Sequence, residues 1–197
     1  MAADLIVGPL DSDIEDRVLR ICRRLGLRNW PPTGSPIGLN PRMTTSGAQR
    51  MTENVMISVL NNASLDAFNT FAAGLEGFSE HDAMTKTALR NLPWWLLSFW
   101  LPIEFDPPKE LASDQGDPTF VGSSIRLLNE LTKIKEMSIL DVSTTPPTYD
   151  DMRNDYRSWF SISHRLSEDD AIRWVWNALR DGAQISIERQ FPMMLAP

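Results

Sequence analysis

The sequence predicts an all-α fold: a single helical domain of about seven or eight helices, with an N-terminal helical arm on a Pro-rich linker and an extended C-terminal tail. Three observations predict it. Apolar residues recur at helical spacing over residues 12–25 and again through most of 45–182. Cap-forming residues and glycines bracket these stretches. Near the C-terminus Ile185 and Ile187 alternate with polar neighbours, which reads as a short strand or an extended tail. The expected organisation is an arm at 1–28, a Pro/Gly-rich linker at 29–44, an all-helical body at 45–182 and a tail at 183–197.

The arm carries SDIEDRVLRICRRLG, residues 12–26. Ser12 and Glu15 have the spacing of a capping box. Ile14, Val18, Ile21, Cys22 and Leu25 give one apolar stripe, and Gly26 is a natural stop. Arg17, Arg20 and Arg24 fall in one sector of that helix, with Arg28 just beyond it. The linker, NWPPTGSPIGLNP, is too rich in proline for a helix and favours an extended path.

The body opens with a helix expected around Met51, Val55, Met56, Val59 and Leu60, ending near Asn61 and Asn62. Ser64 can cap the next, whose apolar face is Leu65, Phe68, Phe71 and Ala72, closed by Gly74 and Gly77. A third starts at Ser79 and carries Ala83, Met84, Ala88 and Leu89. Then comes PWWLLSFWLP, residues 93–102, apolar nearly all round. That pattern predicts a central buried helix between Pro93 and Pro102, with Trp94, Trp95 and Trp100 as candidate oligomer-interface anchors. The uncharged run Leu92–Ile103 spans twelve residues. A membrane-spanning helix needs about twenty, so no transmembrane segment is expected.

Residues 102–120 read as a long irregular connection. A helix is expected from Ser123 to Met137, a further stripe at Met152, Tyr156, Trp159 and Phe160, and a last helix over 167–182. Ser167 and Asp170 would cap that last helix and Gly182 would stop it.

Composition narrows the chemistry. Twenty-six acidic residues outweigh nineteen basic ones, for a formal charge of −7, which opposes general coating of nucleic acid. A single cysteine, Cys22, excludes an internal disulfide and a cysteine metal cluster. The opening MAADLIVGPLDSD is acidic and lacks the apolar run of a signal peptide, so the expected location is cytoplasmic or in an assembled particle, not secreted. The two histidines, His81 and His164, have no second ligand at metal spacing. There is no nucleophile elbow and no phosphate-binding glycine loop. No cofactor is expected. The acid clusters at residues 11–16, 150–151 and 168–170 each sit at an expected helix start, where the free N–H groups favour negative charge.

Two motifs remain. The stripe Arg17, Arg20, Arg24 and Arg28 could track RNA phosphates or an acidic partner. The tetrapeptide Pro146, Pro147, Thr148 and Tyr149 resembles the P-P-x-Y ligand of WW domains, which also occurs in viral matrix and Gag-type proteins. The acidic, arginine-over-lysine, single-cysteine composition is similar to that of helical coat proteins of plant viruses.

These features point to a non-catalytic, self-assembling structural protein such as a viral coat or nucleocapsid-type subunit, with itself and RNA as partners. The alternative is a matrix-type or adaptor protein recruiting WW-domain proteins. A third is an enzyme assembled from distant groups such as Asp151, Arg153 and Arg157.

Overall fold

Residues 2–7 read Ala-Ala-Asp-Leu-Ile-Val. Ala3, Leu5 and Val7 are buried while Asp4 is exposed, the alternation of a strand with one packed face. The computed structural model describes residues 2–8, 20, 22–23, 26, 55–78, 89, 98–105, 109–111, 119–138 and 166–196. In order the elements are β1 (Ala2–Val7), β2 (Val55–Asn61), α1 (Asn62–Ala73), β3 (Ser98–Leu101), β4 (Lys109–Leu111), β5 (Thr119–Ser123), α2 (Ser124–Met137), α3 (Glu168–Arg189) and β6 (Met193–Ala196).

The strands form one mixed sheet in the order β2-β1-β6-β3-β5-β4. Only β3 and β5 run parallel; every other neighbouring pair is antiparallel. The all-α expectation of seven or eight helices is therefore overturned. Three helices stand among the described residues, beside six strands.

The errors have physical causes. Ser98–Leu101, expected in the second half of the Trp-rich helix, is a strand whose four residues are all buried. A short run that is apolar on every side fits a strand buried on both faces as well as a buried helix. Val55–Asn61, also expected to be helical, is the strand β2. Its register passes from Leu5↔Ser58 to Ile6↔Met56, so Ile57 is an extra residue that breaks the alternation. The helix expected to stop at Gly182 runs on to Arg189 and swallows Ile185 and Ile187; it ends at Gln190, in the left-handed region with φ 57°. Beyond it, Met193–Ala196 is no loose tail but an inner strand.

Other signals hold. Asn61, rather than Ser64, caps α1, accepting from Ser64 N at 2.8 Å. Ser123 caps α2 and Ser167 caps α3.

The helices share one face of the sheet with Leu5, Leu60, Trp100, Phe120, Met193 and Leu195. α3 is the centre of that layer. Trp174 Nε1 donates to Ser58 Oγ on β2. Trp176 Nε1 donates to the Leu131 carbonyl of α2 at 2.9 Å. Ser124 and Ser186 hydroxyls meet at 2.8 Å. From Ser124 to Leu131 along α2 the partner on α3 moves back from Ser186 to Trp176, so α2 and α3 are antiparallel. Gly182 and Gly122 let backbone and side chain approach closely: a Cβ on Gly182 would lie 2.5 Å from Met193 Sδ, and one on Gly122 would lie 2.9 Å from Trp100 Cδ1. Trp100 packs edge-on against Phe120, ring centroids 5.9 Å apart. On the opposite face Phe99, Val121 and Met194 are cross-strand neighbours, and all are buried.

Both edge strands are blunted. β2 carries the Ile57 bulge, and β4 has three residues, two of them charged in type.

Candidate functional site

The first turn of α3 holds Glu168, Asp169 and Asp170, all exposed. Their place follows from the cap. Ser167 Oγ accepts from Asp170 N at 3.2 Å and donates to Asp170 Oδ2 at 2.6 Å. The other Asp170 oxygen, Oδ1, accepts from Arg173 Nη1 at 3.3 Å. Asp170 thus has both oxygens engaged and serves the helix. Glu168 and Asp169 make no ion pair among the described residues. They stand where unpaired N–H groups and the helix dipole favour a negative charge.

Further along α3 Arg180 is held by the helix's own Asp181, while Arg189 in the last turn is exposed and makes no ion pair among the described residues. Arg180 directs Nε and Nη2 at Asp181 Oδ1, at 2.9 and 2.6 Å, while its guanidinium lies 5.0 Å from the Trp176 ring centre. Glu188 is exposed in the last turns. Counted as a whole, α3 has five acidic and three basic residues.

Its neighbour α2 has the opposite balance, with two acidic and three basic residues. Glu130 is buried and paired to Arg126 at 3.4 Å. Lys133, Lys135 and Glu136 are exposed. α1 adds Asp66, also exposed. On β1, partial burial holds the Asp4 carboxyl above its ordinary range.

Among the described residues no group of acids, histidines or cysteines is placed to hold a metal ion. No described helix is long and apolar enough to cross a membrane.

The expected site residues fare unevenly. Arg20 is exposed in a helical stretch; Arg17, Arg24 and Arg28 lie outside the described residues. So do Trp94, Trp95, Pro146, Pro147, Tyr149, Asp151, Arg153, Arg157 and both histidines. Trp100 is wholly buried within the chain's own core. Cys22 is buried, and its burial pushes the thiol up to about 12. Sequence reasoning assigned the acids of 168–170 to capping alone; only Asp170 is consumed by it.

The charge is unevenly spread along the chain. Residues 97–195 carry sixteen acidic and ten basic residues, whereas the remainder carries ten and nine. Six of the seven net negative charges therefore sit in the second half. A comparison with curated proteins and one with solved structures each give no match. A comparison with protein families does: residues 97–195, just over half of the chain and the same stretch that holds the charge, match the family described as "Putative DNA-mimic protein", and the chain belongs to that family.

Proposed function

We propose that this protein acts without catalysis as a DNA mimic, presenting carboxylates where DNA presents phosphates and so occupying the DNA-binding surface of a DNA-binding protein. The observation that carries the reading is the coincidence of the family match with the charge: the matched half holds nearly all of the net negative charge.

Magnitudes say what such mimicry can be. DNA carries about one charge per 1.7 Å of axis. α3, with its 22 residues, is about 33 Å long at 1.5 Å per residue and has a net charge of −2. The helix cannot rival DNA in charge density. It competes only if its few free carboxylates meet specific cations on a surface of matching shape, with the other acids of the half adding long-range attraction. Between residues 104 and 117 alone the sequence has five acidic residues and one lysine. The partner is therefore selected, and indiscriminate binding of basic proteins is not expected.

The self-assembling, RNA-binding and WW-recruiting readings draw no support from the family match. The test is competition. A labelled duplex is bound to each of a panel of DNA-binding proteins, and its fluorescence anisotropy is followed as this protein is added. Displacement from at least one member, weakening steeply with salt, is the expected result. No displacement from any at low salt, or direct binding of this protein to the duplex, would sink the reading.

A further inference from the structure

The sheet is buried on both sides, yet the three helices among the described residues all lie on one. Phe99, Leu101 and Val121 are wholly buried and Met194 nearly so, on the face away from α1, α2 and α3. None of the four belongs to the core that the helices share with Leu5, Trp100 and Leu195. A second layer of the same chain therefore covers them. We infer that this layer is the helical stretch that holds Cys22, docked across the second face over Met194, Phe99 and Val121. This holds whether or not the protein mimics DNA.

Three observations carry it. First, Cys22 is 2% exposed while Arg20 and Arg23 are exposed, so the stretch hides one side and shows the other. In sequence Val18, Ile21 and Leu25 recur with Cys22 at helical spacing, enough apolar side chain for a packed layer. Second, the first face has no room for it. α3 packs against both α1 and α2, so the three helices stand in a row. At about 10 Å each they span about 30 Å, against about 24 Å across a six-stranded sheet. Cys22 likewise stands outside the core beneath them. Third, the chain is delivered to the right place. Ile6, Met194, Phe99 and Val121 are successive cross-strand neighbours in one row, and β1 ends one residue past Ile6. Gly8 is still held there, donating to the Pro192 carbonyl. Cys22 follows fourteen residues later. At helical rise that length spans about 21 Å, and the row from β1 to β5 covers about 14 Å, so the stretch can reach. So placed, it is a fixed layer of the body with Arg20 and Arg23 outward, and Cys22 reports whether that layer is closed.

The test uses the full chain. In isotope-labelled wild type, nuclear Overhauser contacts are sought from the Cys22 β protons. Contacts to at least one of Phe99, Val121 and Met194 are expected. Contacts only to Leu5, Met193 or Leu195, or to no residue of the sheet, overturn the inference. A second measurement reads the same packing as a rate. Val121→Ala removes buried volume beneath the second face, and Leu127→Ala removes it from α2. Labelling of the native Cys22 thiol by a disulfide reagent is compared between them, each rate corrected for that variant's loss of stability in urea. Val121→Ala should speed labelling about tenfold more than Leu127→Ala. Equal acceleration would show that the stretch is not seated on Val121 and overturns the inference. Where a variant fails to fold, the wild-type contacts decide.

Discussion

The indole Nε1 of Trp174 donates to Ser58 Oγ at 3.0 Å, a buried hydrogen bond that joins α3 to β2 across 116 residues of sequence. It ties the charged helix to the edge of the sheet remote from the family-matched strands. Ser58→Ala leaves the indole N–H unsatisfied in the core and should cost about 1–3 kcal/mol in urea unfolding. Adding Trp174→Phe removes the orphan donor, so the two losses should be less than additive. Strict additivity would show that the bond contributes nothing.

The two tightly packed glycines should differ in cost. At Gly122 the obstacle is the Trp100 ring, fully buried and braced against Phe120. At Gly182 it is the Met193 thioether, which has free torsions, and alanine also gains about 1 kcal/mol of helix propensity there. Gly122→Ala should destabilise by about 3 kcal/mol and Gly182→Ala by about 1 kcal/mol or less. Met193→Ala should relieve the second and leave the first unchanged. Equal losses in chemical denaturation would contradict this account.

Cap and recognition separate within one turn. Asp170→Asn disturbs the bonds to Ser167 and Arg173 and should lower stability by about 1 kcal/mol. It also frees Arg173 from its ion pair. Glu168→Gln touches neither partner and should leave the melting temperature within a degree or two while weakening competition with DNA. A Glu168 variant that melts early would show that this carboxylate belongs to the helix after all.

Cys22 supplies a pH test. Its thiol is raised from 9.0 to about 12 by burial, so the folded state holds the proton more tightly than the unfolded one. That contribution is complete below pH 9 and is lost as pH climbs toward 12. Cys22→Ala should flatten the fall in stability over that window. At pH 8 the native thiol should resist a disulfide reagent that labels it at once in denaturant. Equal labelling rates would contradict its burial.

How much of this was legible in the sequence depended on the element. α2 and α3 declare themselves through Ser123 and through Ser167 with Asp170, because cap chemistry is local. The sheet does not. β3 is buried on both faces and so has no alternation, β2 hides its alternation behind the Ile57 bulge, and β6 is Met-Met-Leu-Ala, poor in β-branched residues. β1 is the exception, since Ala3, Leu5 and Val7 alternate with polar or less buried neighbours, a strand signal that the all-helical reading leaves out. Gly182 misled because a glycine required by Met193 and Leu5 looks in sequence like a glycine that ends a helix. The site was half legible. The excess of acid was plain, but it counted only against general coating of nucleic acid, when a surplus of carboxylates can stand in for nucleic acid instead.

The four residues of β6 have an effect out of proportion to their number. β6 pairs with β1 on one side and β3 on the other, and without it the sheet order falls into two separate pieces, β2-β1 and β3-β5-β4. Those pieces come from the first third and the middle of the sequence, and the strand that welds them is synthesised after both. During translation the early strands must wait, edges open, until Met193–Ala196 leaves the ribosome. The sheet can close only once Met193–Ala196 has been made, and a chain cut short of Met193 would hold two half-sheets rather than one.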